Sequence, residues 1–278
     1  KAIKKAFALG MSALLLASTG VPTTVQAAGW KQNTTGWWWQ EDDGSYPVSR
    51  WQLIRGNYYY FDQNGYMKTG WMKLGVDWYY LGGANDGARK TGWQQVYGKW
   101  YYLGKENDGA MKYYWQKIDG KYYWLGHGND GAMKTYWQKV NNAYYFLGSD
   151  GIMRTGWQSI WGKWYYLNSS GAMLTGWQKI DNNWYLLQSN GARIEGWYTN
   201  GKNRYYLMPL TGVMQKYWFS VDGKWYYANY SGVLQTGWVT SNGKTYYLDE
   251  SGVMQTGLKL IDKKWYVFSA SGELIGSN

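Results

Sequence analysis

A tryptophan returns every 20 to 22 residues along most of this chain. The series runs Trp51, Trp71, Trp93, Trp115, Trp137, Trp157, Trp177, Trp197, Trp218 and Trp238, and Leu258 takes the place in an eleventh unit. A second aromatic cluster begins seven residues after that position, as in Trp100-Tyr101-Tyr102 or Trp164-Tyr165-Tyr166, except where Arg204 and Thr245 replace its first ring. Self-similarity at a fixed period of roughly 20–50 residues marks a repeat architecture, in which each unit buries its apolar face only against its neighbours. The longer units gain their two extra residues after the cluster, as in "LGGANDGARKTGW". Length therefore varies in a loop, and the core of the unit is fixed.

Each unit reads as a β-hairpin. In "WQKIDGKYYWL" the pair Asp119-Gly120 separates two short aromatic runs, and Asp222-Gly223 and Asn242-Gly243 sit in the equivalent places. Asn141-Asn142 and Asp181-Asn182 are chemically similar. Such pairs favour the left-handed turn that matches strand twist. A two-residue turn sets Trp115 opposite Trp124 and Lys117 opposite Tyr122. Alternation then puts Trp115, Tyr122 and Trp124 on one face, with Tyr123 and Ile118 on the other. The middle aromatic is Tyr in all eleven units, from Tyr59 and Tyr79 to Tyr246 and Tyr266, which reads as scaffold packing between successive hairpins. A lone hairpin is marginal in water, so the units must stack. The expected fold class is all-β, a repeat solenoid of stacked β-hairpins over 51–278. Residues 28–50, "AGWKQNTTGWWWQEDDGSYPVSR", depart from the pattern and read as an atypical N-terminal cap.

Residues 1–27 read as a secretory signal peptide. Lys1, Lys4 and Lys5 precede an apolar run from about Ala6 to Ala17, and Val25 and Ala27 suit the positions before a cut. The run falls short of the ~20 residues a membrane span needs, so no transmembrane segment is expected. Removing the three lysines lowers the formal charge from +11 to about +8, which suits anionic polymers. With no Cys there is neither a disulfide framework nor a thiol nucleophile. Aromatics make up 21% of the residues while Ile, Leu and Val are sparse, so a conventional aliphatic core is not expected.

Grooves between stacked hairpins would be lined by Trp and Tyr. Aromatic faces attract cations within ~6 Å of the ring centre, and they also stack on sugar rings. The stretch "TGWQSIWGKWYYLNSSGAMLTGW", Thr155 to Trp177, resembles the repeat of choline-binding modules, the cell-wall-binding repeats of Gram-positive surface proteins and lysins. The resemblance covers Trp51 to about Gly272. It implies a left-handed choline-binding-type β-solenoid with choline sites between consecutive repeats. In such a site two aromatics come from one hairpin, one comes from the next, and Met often completes the cage.

Carried onto this chain, the implied cage pairs are Trp51/Tyr58, Trp71/Trp78, Trp93/Trp100, Trp115/Tyr122, Trp137/Tyr144, Trp157/Trp164, Trp177/Trp184 and Trp218/Trp225. The implied Met partners are Met67, Met111, Met133, Met153, Met173, Met214 and Met254. Alternation favours the third aromatic of a cluster as the ring that joins from the next hairpin: Tyr80, Tyr102, Trp124, Tyr166 or Tyr227. The middle Tyr is the other candidate. Several units depart from the pattern. Arg204 faces Trp197 and should repel choline, Thr245 replaces the ring facing Trp238, and Leu258 replaces the Trp beside Trp265. Arg89 and Ile194 stand where other units have Met, and Tyr114, Tyr136 and Tyr217 replace the Gly before the Trp. Up to eight good sites are expected, crowded toward the first two thirds, with degenerate units as spacers.

A single cage should be weak, and several on one rigid scaffold gain avidity on a polymer. The partner implied by the resemblance is choline-bearing teichoic or lipoteichoic acid, the location is the Gram-positive cell wall after secretion, and no cofactor is implied. Choline-dependent dimerisation, as in some relatives, and host or cell-surface glycans are further partners the family brings into view. No enzyme is expected. His127 is the sole histidine and falls in a loop, so no zinc site or catalytic triad forms around it. Glu41, Asp42 and Asp43 read as a solvated turn rather than a glycosidase pair. Aromatic and Lys side chains could stack nucleic acid, but export argues against that partner. A leader directly before the repeats reads as a complete exported chain without a lysin domain. The competing readings are a glucan-binding repeat module and the targeting tail of a cell-wall hydrolase.

Overall fold

Nearly every hairpin of the chain turns through two residues in left-handed backbone. The computed structural model describes residues 27–278, so the leader read at 1–27 lies outside the described residues except for Ala27. Asp119 and Gly120 hold φ of 48° and 79°, Asn141 and Asn142 hold 47° and 65°, and Asp222 and Gly223 hold 49° and 76°. Positive φ at both central residues is the type I′ turn that these residue pairs predict. The register follows: Trp115 pairs with Trp124, and Lys117 with Tyr122. Gly75 and Gly201, each at the first turn position with positive φ, make the remaining two-residue turns with Val76 and Lys202.

The described residues carry twenty-five short strands and no helix. Two bodies divide the chain between Lys112 and Tyr113. The first holds the hairpins anchored by Trp30, Trp51, Trp71 and Trp93. The second holds eight more, from Trp115 to Leu258, and a last strand, Leu274–Ser277, that pairs beside Tyr266 and Val267. The expected eleven hairpins from Trp51 onward are all present. The segment read as an N-terminal cap contains a hairpin of its own, Gly29–Gln32 against Trp37–Gln40, with Trp30 opposite Trp39.

Within each body the hairpins stack front to back. The front face of a hairpin carries the anchor Trp with the first and third aromatics of the cluster. The back face carries the middle Tyr and an aliphatic column. Phe61, Leu81 and Leu103 in the first body are fully buried, as are Leu125, Leu147, Leu167 and Leu207 in the second, all at 0% exposure. Ile54, Val96, Ile118, Val140, Ile160 and Ile180 are buried beside them. The expectation that an aliphatic core is absent is thus corrected. One Leu and one β-branched residue per unit suffice, because each hairpin is only two strands wide.

The returning loop ties neighbours together through its backbone. Met173 N–H donates to the Tyr144 carbonyl of the preceding hairpin (2.8 Å), and Leu174 N–H donates to Tyr166 of its own (2.9 Å). Asn168 Oδ1 accepts from the N–H groups of Ser170 and Ala172, both at 3.0 Å, closing the loop as an Asx turn. The "TGWQ" motif also has a local cause: Gln158 Nε2 donates to the Thr155 carbonyl (2.8 Å), and Gln138 to Thr135 (2.9 Å).

Candidate ligand-binding cages

The anchor Trp is held between two rings. Trp137 meets Phe146, its cross-strand partner, at 5.2 Å between ring centroids, and it meets Tyr165 of the next hairpin at 5.0 Å and 65°. The same edge-on contact with the next hairpin's middle Tyr recurs in Trp51–Tyr79, Trp71–Tyr101, Trp115–Tyr145, Trp157–Tyr185 and Trp218–Tyr246, and a more tilted one in Trp177–Tyr205, at 4.6–5.2 Å. Edge-to-face pairs in this range add ~0.5–1.5 kcal/mol beyond area burial.

The ring that joins from the next hairpin is therefore the middle Tyr. The third aromatics favoured from alternation lie instead against their own anchor: Tyr80 on Trp71, Tyr102 on Trp93, Trp124 on Trp115, Tyr166 on Trp157 and Tyr227 on Trp218. Alternation describes one hairpin correctly, but a stack brings its front face against the back face of the next. The middle Tyr is on that back face, so its scaffold role and its place beside the anchor Trp are one arrangement.

Grooves open beside two of these trios. One cavity of about 450 Å³ is lined by Trp137, Tyr144, Tyr165, Met173, Ser189 and Asn190. A second, of about 380 Å³, is lined by Trp177, Trp184, Tyr205 and Met214, with Lys179, Lys216, Tyr230 and Ser231 at its edge. Both volumes fall within the ~300–1,000 Å³ usual for small-molecule sites. The first aromatic of the cluster offers an accessible ring: Tyr144 is 44% exposed and Trp225 is 48%. Tyr58, Trp100, Tyr122 and Trp164 are likewise exposed. Their cross-strand lysines lie near, with Lys117 Nζ 5.3 Å from the Tyr122 ring and Lys139 Nζ 5.6 Å from Tyr144.

Methionine reaches each groove from the loop that follows the next hairpin, tied by the backbone bond already described. Met111 N–H donates to Trp78, Met153 to Tyr122, Met214 to Trp184 and Met254 to Trp225, all at 2.8–2.9 Å. The Sδ of Met173 lies where a side chain on Gly191 would collide, 2.2 Å from an added Cβ, and Met133 lies likewise against Gly151. Gly151 and Gly191 are thus required by the thioether from the preceding loop as well as by their left-handed φ.

Two of the expected ring pairs have a different fourth member. Arg89 N–H donates to the Tyr58 carbonyl and Arg193 N–H to Trp164, each at 2.8 Å, so both occupy the Met position. Arg193, not Ile194, is the replacement; Ile194 N–H bonds Leu186 of its own hairpin. At Trp197 the expected cation is in place, with the Arg204 guanidinium 4.0 Å from the ring centroid. The sequence reading also passed over Trp30 and Trp37. They have the seven-residue spacing, Trp30 meets Tyr59 at 4.9 Å, and Met67 N–H donates to the Trp37 carbonyl at 2.7 Å. That spacing was the signal, hidden by the acidic turn that follows.

The described residues hold no cluster of His, Asp and Glu able to bind a metal ion. Asp42 Oδ1 accepts from Ala28 N–H (2.5 Å) and Asp43 Oδ1 from Ser45 N–H (2.9 Å), so this acidic turn is used in local backbone bonding. No helix among the described residues is long and apolar enough to cross a membrane.

The sequence matches the choline-binding repeat at residues 48–90, 134–175, 174–214 and 235–278. It matches the putative cell wall binding repeat at 91–111 and 218–234. Among solved structures, CbpJ from Streptococcus pneumoniae is 28% identical with a TM-score of 0.64, over 90% of this chain and 100% of that one. Choline binding protein F from the same organism is 28% identical, TM-score 0.60, over 90% and 99%. Its structure in the presence of a peptidoglycan analogue gives 30% identity and a TM-score of 0.57 over 83% and 99%. No curated protein matches the sequence. With matched repeats spanning more than half of its residues, the chain belongs to the choline-binding repeat family.

Proposed function

We propose that this chain attaches to the cell wall by binding choline groups of teichoic or lipoteichoic acid, each quaternary ammonium seated in one cage. The observation that carries this is a constellation repeated with one geometry. An anchor Trp, the ring seven residues on, the middle Tyr of the next hairpin and a Met from its loop come together, and at Trp137 and Trp177 they line a groove. The open sets are Trp71/Trp78/Tyr101/Met111, Trp115/Tyr122/Tyr145/Met153, Trp137/Tyr144/Tyr165/Met173, Trp177/Trp184/Tyr205/Met214 and Trp218/Trp225/Tyr246/Met254.

A permanent cation has no hydrogen to donate, so polarisable ring faces and a thioether suit it better than a carboxylate does. Each ring adds ~0.5–2 kcal/mol. Three rings with burial reach the ~4 kcal/mol of a millimolar site, and repetition on one scaffold supplies avidity toward a polymer bearing many cholines. Lysines beside the cages, such as Lys117 and Lys139, suit the phosphates of that polymer. In this reading the repeats act by binding alone, the protein is secreted behind its leader, and it is held at the wall without a covalent bond.

The test is retention on a tertiary-amine resin that mimics choline, with a glucan column run beside it. Release by free choline, together with a change in Trp fluorescence on titration, is the expected result. Retention on glucan alone would make the same grooves sugar readers.

A further inference from the structure

Arg89 and Arg193 hold their guanidinium groups inside two of the cages. The Arg193 Cζ lies 5.4 Å from the Trp157 ring centroid and 5.5 Å from Trp164. The Arg89 Cζ lies 4.5 Å from Tyr58 and 5.6 Å from Trp51. All four distances are within the ~6 Å over which a cation is held by a ring face. Each side chain enters by the route Met takes elsewhere. An added Cβ on Gly212 would be 2.4 Å from Arg193 Cδ, and one on Gly109 would be 2.7 Å from Arg89 Cδ, just as Gly191 meets Met173. The aliphatic stem thus replaces the thioether, and the charged end reaches the space between the rings.

Both guanidiniums are fixed there. Arg193 Nη2 pairs with Glu195 Oε1 (2.5 Å) and donates to the Leu210 carbonyl (2.7 Å), while Glu195 Oε2 accepts from Leu210 N–H (2.8 Å). The Arg193 side chain is only 6% exposed. Arg89 Nη1 donates to the Asp108 carbonyl (3.3 Å) and Nη2 to that of Glu106. The Nε of each is buried without a hydrogen-bond acceptor. The guanidinium carbon of each lies within cation–π range of two rings, an attraction that burial strengthens.

The internal copies show a matching second change. The residue across the strand from the first aromatic is Lys73, Lys117, Lys139 and Lys179 in four of the open cages. In the two arginine cages it is Leu53 and Ser159. The fifth open cage has Ser220 there, so a Lys at this position occurs only in open cages, and neither arginine cage carries a second cation across the strand. An ammonium on a flexible stem at the groove edge can swing away, whereas a planar guanidinium anchored at several points is preorganised in place.

We infer that Arg89 and Arg193 are resident ligands, which occupy the Trp51/Tyr58 and Trp157/Trp164 cages and close them to quaternary ammonium. This rests on the reading of the open cages as choline sites. One residue at the Met position then decides whether a cage is a binding site or an internal cation–π joint. Self-filled repeats accordingly interrupt the ligand-taking ones, and the row of binding sites is broken.

Indole ¹⁵N signals of the full chain, titrated with choline chloride against sodium chloride at equal ionic strength, test this site by site. Trp137 and Trp177 are expected to shift with a saturating curve, while Trp157, Trp164 and Trp51 stay in place. In Arg193→Met, a residue that other loops already accept there, Trp157 and Trp164 should join the responders, and bound choline per chain by equilibrium dialysis should rise by one. Saturating shifts at Trp157 and Trp164 in the unaltered chain, with the midpoint seen at Trp137, would overturn the inference and leave the choline reading intact. So would an Arg193→Met protein with an unchanged hairpin spectrum and no gained site. Silence at every indole, Trp137 included, would instead remove the choline reading on which the inference stands.

Discussion

Replacing Tyr144 by Leu separates binding from folding at one cage. Tyr144 is 44% exposed, and its own contribution to packing is small. Its carbonyl, which accepts from Met173 N–H at 2.8 Å, is untouched by the substitution. What the chain loses is a surface ring and the Lys139 ammonium 5.6 Å above it, together less than about 1 kcal/mol of stability. What a bound cation loses is one of three ring faces, ~0.5–1 kcal/mol if the site is wet and about 2 if it is desolvated. At tenfold per 1.4 kcal/mol this is a roughly 2- to 30-fold rise in Kd at that site. Methionine ε-methyl ¹³C signals give the assay, because each open cage has its own methionine. The Met173 curve should move to higher choline, those of Met153 and Met214 should not, and the urea midpoint should barely change. An unaltered Met173 curve would refute Tyr144 as a wall of the cage. A shift shared by all the methyls would show that the substitution acts through the fold.

The partner ring behaves differently: Tyr165→Leu removes the 5.0 Å contact with Trp137, so the urea midpoint should fall and the Met173 curve should also move to higher choline, with a stability loss of about 1–3 kcal/mol. Gly171→Ala places a Cβ 2.4 Å from Met153 Sδ at a φ of 83°, for a loss of at least ~1–2 kcal/mol from the backbone alone and a displaced Met153 methyl signal. Trp161 holds φ of 49° in a turn while 75% exposed, so Trp161→Asn should raise stability by about 1 kcal/mol in a chemical melt. The Arg193 hydrogen bond holds the Glu195 carboxyl below its ordinary value of 4.5, and Leu210 N–H acts in the same direction against some desolvation. A depressed folded value means that the ionised carboxylate adds stability above the unfolded value, and that this addition is lost as pH falls through the lower folded one. Glu195→Gln should therefore flatten part of the acid-side fall in stability as pH drops through and below the unfolded value of 4.5 in urea melts.

The hairpins were legible because each carries two independent signals. The turn pairs set the register, and the Trp and cluster spacing sets the repeat. Together they place Trp115 opposite Trp124, as the structure has them. Contacts between hairpins were less legible, because periodicity along one strand says nothing about which face the next unit presents. That is why the third aromatic was favoured over the middle Tyr, although the invariance of the middle Tyr pointed to the inter-hairpin contact. Trp30 was hidden by a similar limit: its hairpin is regular, but the loop after it, Glu41 to Ser49, replaces the usual "GxMxTG" return. Arg193 was missed by one position, since "GARIEGW" must be aligned on its Gly rather than on its apolar residue to match "GAMLTGW". The aliphatic column was undervalued for a compositional reason. A core that needs one Leu per twenty or so residues leaves little trace in a chain with 21% aromatics.

A crystal structure of the protein saturated with choline tests the central claim most directly. The account predicts a trimethylammonium group between Trp137, Tyr144 and Tyr165 with Met173 beside it, and its repeat at Trp177, Trp184, Tyr205 and Met214. Choline seated against the third aromatics, or absent from both grooves at saturation, would contradict it.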